Sequence, residues 1–401
     1  MAYRSLTLGV DGTSVVKFGG GRRRQNVLKN FLIFLFVIAL IVSAVLRLRY
    51  GGGQPYDDLS TTPLLVEQAL EVVLDYPEPI GNVAVAPDGR LFFTVHPESR
   101  PPGNRVLEWA NDAAVPYPSG TVQLHLFDTV LGIVVDRQNR LWTIDNGNHG
   151  FGVARLLAFD LASGDIVHNH EFHPDIAPGG SFLQDLQVSA DGLTVFVADA
   201  SIWRKSPAII VYDVQTRTAR RVLESHLSVS AQDFVIRTPT KEMKFLGGLL
   251  SLKAGVDGIA LDTDSEWLYI AAMNNSDLYR IRVDDLLDPT LPARQLENEV
   301  EYVSNKPLSD GLSADLAGNI YITDVEHGSV MRVTPDRALE TVIRSPRIRW
   351  ADALSFGPDG WLYLADSAIP EQVLQSRDHI LSQGPYYIYR FRPGNPGVPG
   401  H

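Results

Sequence analysis

A chain of 401 residues with 45% hydrophobic and 20% charged residues can bury a large core, which excludes a disordered chain, a collagen-like fibre and a disulfide-stapled mini-protein. Cysteine is absent, so disulfides, zinc ribbons, iron–sulfur clusters and thiol nucleophiles are excluded as well. The formal net charge is −12, yet residues 1–50 carry eight basic residues and one acid, so the remaining chain holds −19; so acidic a body argues against nucleic acid as a partner.

The first element in chain order is an apolar run from Phe31 to Leu46, interrupted by Ser43 and preceded by Arg22, Arg23, Arg24 and Lys29. Extended to residues 30–48 it has the length that spans a bilayer core. More positive charge precedes it than follows it, so the positive-inside rule places residues 1–29 in the cytoplasm as a basic tail and the rest of the chain outside, periplasmic or extracellular. The alternative is a secreted protein released by cleavage near Val42-Ser43-Ala44, where small residues suit a signal peptidase. Residues 49–65, beginning with Gly51-Gly52-Gly53-Gln54-Pro55, read as a flexible linker.

Residues 66–395 repeat one pattern: a short apolar strand, a turn rich in Gly, Asp or Asn, and a second apolar strand with an aromatic residue. Six copies start near Asn82, Gly132, Asp185, Gly258, Gly311 and Ala353, and their turns at Gly89, Asn139, Gly192, Ser265, Gly318 and Gly360 are 50, 53, 73, 53 and 42 residues apart. That period fits one four-stranded blade per copy, so the expected fold is all-β, a six-bladed β-propeller preceded by a transmembrane helix. Val83, Ile133, Leu186, Ile259, Leu312 and Leu354 fill one column of the innermost strands, with mostly smaller residues in the next. The last copy is followed by one outer strand, Tyr386 to Phe391, and the segment Leu70 to Leu74 is free to supply the missing one and close the ring. An excess of about twenty residues near Ser225 to Ala254 is a lid or a bland surface loop.

Asp310-Gly-Leu-Ser-Ala-Asp, Tyr321-Ile-Thr-Asp324-Val-Glu-His327, Leu141-Trp-Thr-Ile-Asp145-Asn-Gly147 and Trp350-Ala-Asp352-Ala-Leu-Ser-Phe, in that set of blades, resemble the Yellow/major royal jelly protein family. That family is similar in turn to the senescence-marker/gluconolactonase propellers, which hydrolyse lactones with a divalent metal in the central channel. The resemblance implies a propeller that binds a small ligand at one mouth; its members differ in activity, from biogenic-amine binding to proposed dopachrome conversion. The lactonases draw metal ligands from a glutamate of the first blade, an asparagine of the third and a later aspartate. Here the first position is Gly81 followed by Asn82, the third is Gln184 followed by Asp185, and Asp257 or Asp310 matches the late acid.

In the repeat register, Gly81, Leu131, Gln184, Asp257, Asp310 and Asp352 stand at the start of the innermost strands, so three successive blades aim an acid at one mouth. Carboxylates gathered there raise one another's pKa and are relieved by Ca²⁺ or another hard divalent cation, or by a ligand amine. Asp257 and Asp310 are the candidate catalytic residues; with Asp185 and Asn82 they are the candidate metal ligands, and Asp352, Asp185, Gln184, Asn82, His149 and His327 the candidate ligand contacts. His149 and His327 are either mouth residues acting as bases or donors, or polar loop residues. A second ring, Asp145, Asp199, Asp324 and Asp366 with Ala272 in the fourth copy, reads as strand-end caps. His168, His170, Glu171 and His173 are split between two faces of a strand and do not make a metal site, while Trp142, Trp267 and Trp361 read as core. Neither a nucleophile elbow nor a nucleotide-binding glycine loop is present. The leading expectation is a membrane-anchored propeller that binds a small polar or cationic ligand at an acidic channel mouth. The alternatives are a metal-dependent lactone hydrolase and a protein-interaction scaffold.

Overall fold

A computed structural model describes residues 21–400; the greater part of the basic tail expected at residues 1–29 therefore lies outside the described residues. Six four-stranded antiparallel sheets are arranged as the blades of a propeller. Blade 1 begins with Ile80–Val85, blade 2 with Val130–Val135, blade 3 with Leu183–Val188 and blade 4 with Val256–Leu261. Blade 5 begins with Leu312–Ala314 and blade 6 with Ala351–Phe356.

In each blade the first strand lies innermost and the chain works outward. Blade 6 is the exception, because its outermost strand is Glu71–Tyr76 from the start of the domain, paired antiparallel with Tyr386–Phe391. Ring closure thus joins the two ends of the repeat region through a ladder that runs from Glu71 opposite Arg390 to Tyr76 opposite Tyr386. The apolar side of this strand is thin: Leu74 is buried against Ile388, Tyr386 and Phe93, whereas Val72 is exposed.

Two features bring the innermost strands close to the axis. In blades 1, 2, 3, 4 and 6 the pairing register shifts within the first residues of the inner strand, a bulge that turns the side chain there out of the sheet and toward the channel. In addition, a Cβ at Gly132 would lie 2.5 Å from the Gln184 carbonyl oxygen, one at Gly258 2.3 Å from that of Asp310, and one at Gly311 2.6 Å from that of Asp352. Each glycine follows the channel-facing position of its blade and lets the next blade's backbone pack directly on it.

The segment 49–65 differs from the flexible linker expected for it. Gln54 forms a parallel bridge with Phe234, Tyr56 packs on the Phe234 ring, and the Thr61 and Thr341 hydroxyls each accept from the other's backbone N–H at 2.8 Å. A Cβ at Gly53 would sit 2.7 Å from that of Val235, so here the glycines serve close backbone approach rather than freedom. The chain also continues past residue 395, the expected boundary: Gly397 lies against the Phe356 ring, and Gly400 donates to the Phe356 carbonyl and accepts from Val135 N–H. This tail crosses the end of the propeller and lines the bottom of the axial channel.

Trp142 is buried, as expected, with its Nε1 donating to Asp136 at 2.6 Å. Trp267 and Trp361 meet the expectation of core packing in part: each packs against a core cluster but is only half-buried and stacked by two arginines, Arg280 and Arg282 on the first, Arg390 and Arg392 on the second. The cause is their place at the open end of a strand, where long cationic side chains cover the ring.

The closing strand yields a stability prediction. Leu74→Ala is expected to cost about 2–4 kcal/mol by opening a cavity in the last blade, and Val72→Ala less than about 0.5 kcal/mol, in denaturant titration. Equal effects at the two positions would contradict the closure.

Candidate functional site

The bulged strand starts of blades 1, 3, 4 and 6, together with the residue two places ahead of the short inner strand of blade 5, bring Asn82, Gln184, Asp185, Asp257, Asp310 and Asp352 around a single narrow axial cavity, with about 450 Å³ of empty volume counting its open mouth. Among the described residues, no arginine or lysine lines it. In blade 5, where the inner strand is short, the Thr323 hydroxyl accepts from Asp310 N–H and Gly311 N–H at 3.0 Å each and fixes the acid in place of a ladder.

The hydrogen bonds of these acids are incomplete. Asp310 Oδ2 accepts from Trp350 Nε1 at 2.6 Å, and the Asp257 and Asp310 carboxyls act on one another. Asp185 accepts from Leu186 N–H at 2.9 Å. Asp257 Oδ2, Asp352 Oδ2 and Gln184 Oε1 are buried without a hydrogen-bond partner; His96 Nε2 stands 3.6 Å from Asp352 Oδ2. Burial raises all four carboxyls. Asp185 and Asp310 are pushed up to about 7, and Asp257 and Asp352 go well above the usual carboxylate range, with the Asp310 charge adding to burial in both. Burial lowers His96 to about 4, so it stands neutral beside Asp352.

The outer ring of acids does different work. Asp145 accepts from the N–H groups of Asp128, Thr129 and Gly147; Asp199 accepts from Phe182 and Ser201 N–H and pairs with Arg221 at 2.8 Å. Asp324 accepts from Glu326 and His327 N–H, and Asp366 from Arg349 and Trp350 N–H. These are strand-end caps. In blade 4, where Ala272 replaces the acid, Asn274 takes over by accepting from Ala254 N–H at 2.9 Å.

The two candidate histidines separate from the channel. His149 pairs through Nδ1 with Glu98 at 3.2 Å and stacks on Phe182, one layer behind the mouth. His327 is bonded to Asp324 at 3.0 Å and faces Asp58 at 3.6 Å, away from the axial cavity; the docked segment that carries Asp58 covers it. The His168 side chain is buried on Tyr212 with Nε2 2.8 Å from its hydroxyl, and Glu171 pairs with Arg155, so this strand gathers no metal site.

Sequence reasoning missed His96, Glu98 and Trp350. One signal existed for the first two: blade 1 has Val95 where blades 2, 3, 5 and 6 place the rim acid, and the residues just beyond it carry the polar groups instead. Above the channel lies a second, larger space, with about 1020 Å³ of empty volume counting its open mouth, that shares Leu131, Gln184 and Asp310 with the channel. Its walls are mostly apolar, including Phe182, Ile202, Phe245, Leu252, Met273 and Val373, and the insertion near residues 225–254 forms one side.

The fold and this axial cluster define a six-bladed propeller with an acid-lined channel that the C-terminal tail lines at one end and that adjoins an apolar chamber at the other. The model of the family described as Major royal jelly protein matches residues 128–353, more than half of the chain, and the chain belongs to that family. It is 26% identical over 187 residues to Major royal jelly protein 3 of Apis mellifera, covering 44% of this chain and 32% of that protein; the chain thus spans about a third of that curated relative. Among solved structures it is similar to a calcium-binding regucalcin from Agrobacterium tumefaciens, with TM-score 0.52, 13% identity and coverage of 82% of this chain and 96% of that one. A gluconolactonase from Xanthomonas campestris is similar at TM-score 0.50 and 15% identity, covering 80% of this chain and 89% of that one. At these identities the structural likeness establishes the fold.

The raised carboxyls give a pH prediction with a definite sign. A carboxyl whose folded pKa lies above its unfolded value stabilises the fold below the unfolded value and loses that contribution as pH rises through the folded one, here from about 4 to about 7 for Asp310. In the absence of divalent cations, Asp310→Asn should therefore gain stability relative to the parent between pH 5 and pH 8, by roughly 1–3 kcal/mol. Thermal or urea unfolding at the two pH values measures it, and a constant difference would contradict the burial of an ionisable carboxyl there.

Proposed function

We propose that this protein is a membrane-anchored propeller, held outside the cytoplasm, that binds a small ligand with a cationic or hydroxyl-rich group in the axial channel. The observation that carries this reading is the set of buried, unpartnered oxygens, Asp257 Oδ2, Asp352 Oδ2 and Gln184 Oε1, in a cavity lined by four further polar side chains and by no basic one among the described residues. Buried acceptors without donors are costly, and a ligand that brings N–H, O–H or positive charge relieves them. Anchoring is supported by the helix Asn26–Tyr50, whose most apolar 18-residue stretch has mean hydropathy 2.9 and is not buried, and by the excess of positive charge before the apolar run.

A second reading, a metal-dependent lactone hydrolase, is favoured by the same donor set. The set is all oxygen, as a hard divalent cation such as Ca²⁺ or Mg²⁺ requires, and Asn82, Gln184, Asp185, Asp257, Asp310 and Asp352 would hold it. Such an ion would polarise a bound carbonyl. Asp310, with a pKa of about 7, is suited to exchange a proton with water near neutrality. Against this reading, the first-blade ligand position is Gly81, where a Cβ would already lie 3.1 Å from Thr94 Oγ1 and 3.3 Å from His96 Cδ2. Thr94 and His96 fill the space that a first-blade glutamate would need, so binding is the leading conclusion.

The test uses the full chain in lipid nanodiscs with butylamine, Ca²⁺ and Mg²⁺ as probes in calorimetry. At least one probe is expected to bind, and Asp257→Asn or Asp352→Asn should weaken it by about 10–100-fold, the range for a charge-assisted contact. Asp145→Asn should lower the melting temperature and leave the affinity unchanged. Equal affinities in parent and both channel variants would overturn the reading.

A further inference from the structure

The helix Gly21–Tyr50 reaches the propeller without a break, and its last turn is fastened to the chamber mouth. Arg47 Nη1 donates to the Gly248 carbonyl, Arg49 Nη2 to the Arg204 carbonyl and the Tyr50 hydroxyl to the Trp203 carbonyl, each at 2.8 Å. The apolar run ends at Leu46, one residue before the first of these contacts. A bilayer that holds the run must therefore meet the protein at the loops carrying Trp203 and Leu246–Gly248.

This same face carries exposed apolar side chains that the fold leaves uncovered. Trp203 is 43% exposed with Phe151, 65% exposed, packed near its ring, and Leu246 and Leu374 are 65% and 66% exposed. Trp203 and Leu374 also line the chamber, as does Tyr50 of the helix itself. Exposed aromatic and aliphatic groups around an opening next to a membrane anchor suit the headgroup boundary of a bilayer. The chamber then runs from that boundary, between apolar walls, to Gln184 and Asp310 at the acidic channel.

Resting on the anchor and channel readings above, we infer that the chamber binds the hydrocarbon part of a single-chain amphiphile entering from the bilayer, with its cationic or hydroxyl-bearing end directed to the channel. A free polar metabolite has no use for so large an apolar antechamber, whereas an amphiphile matches both ends of it. Lys205 stands at the rim beside Tyr50, its Nζ 5.5 Å from the ring centre and bonded to the Lys253 carbonyl, so the cationic group of the site lies at the membrane end and away from the acids. That polarity favours entry with the amine end leading inward.

The experiment places the full chain in phosphatidylcholine nanodiscs and titrates butylamine, hexylamine, octylamine, decylamine and decanol, with empty nanodiscs correcting for partition. Tryptophan emission is the readout, since Trp203 and Trp350 line the chamber. Affinity is expected to rise about two- to four-fold per added methylene, as burial of a chain requires. Leu252→Glu, and independently Leu250→Glu at the rim, should flatten the series while butylamine binding persists. Lipid brominated close to the headgroup should quench Trp203, and Trp203→Phe should remove that component.

A flat series with butylamine still bound overturns the chamber inference and leaves the channel reading intact. Equal binding of decanol and decylamine with no binding of butylamine overturns the channel reading and supports the chamber. Absence of binding by every probe refutes both. Lack of quenching in a chain whose intact mass retains residues 1–50 refutes entry from the bilayer, and a mass lacking those residues refutes the anchor and the inference with it.

Discussion

Carboxyl groups forced together at the axis of a ring of sheets are the constraint on which the rest of this molecule turns. Asp185, Asp257, Asp310 and Asp352 share a narrow cavity without a basic side chain among the described residues, and burial pushes each of them upward in pKa. Nothing in strand packing calls for acids at these positions, and in a water-poor space they disfavour the folded state whenever they ionise. The backbone is nonetheless arranged to keep them there. Bulges turn the strand starts inward, glycines at 132, 258 and 311 let adjacent blades close on the acid-bearing residues, and Trp350 and Thr323 fix Asp310. Charge held at such a cost is characteristic of a site rather than of a scaffold.

The remainder of the structure isolates that cluster at one end and opens it at the other. The C-terminal tail through Gly400 lines the base of the channel, while the blade 3 to blade 4 insertion and the end of the N-terminal helix help to build the apolar chamber above it. The helix is thus more than an address label for the chain, because its last residue is part of the chamber wall. Fastening through Arg47, Arg49 and Tyr50 also fixes which face of the propeller meets the helix.

The blades, their order, the closing strand and the inner acids were legible in the sequence because the repeat keeps one register, so a residue's column fixes its height and its side of the strand. Asp257, Asp310 and Asp352 could be placed together on that ground alone, and Asp145, Asp199, Asp324 and Asp366 could be separated from them as caps. Legibility failed where contacts come from outside the repeat. The sequence left His327 open between a mouth residue and a polar loop residue, and what decides it is Asp58, which lies against it from a segment that composition alone marks as loose. Trp267 and Trp361 occupy core columns, yet arginines on neighbouring strands stack over them, and column position does not encode that. The chamber was invisible for the same reason, being assembled from loops, an insertion and a helix end that share no period.

On the proposed reading, the channel acids are held partly protonated until a positively charged group binds. Calorimetry of Ca²⁺ and of butylamine binding at pH 7, in buffers of different ionisation enthalpy, measures the protons released when the site fills. With all four channel carboxyls raised by burial, a cation that fills the site at pH 7 should displace protons from them, and Asp310→Asn should release fewer than the parent. Binding without proton release at pH 7, or proton release that persists unchanged in Asp310→Asn, would contradict the account.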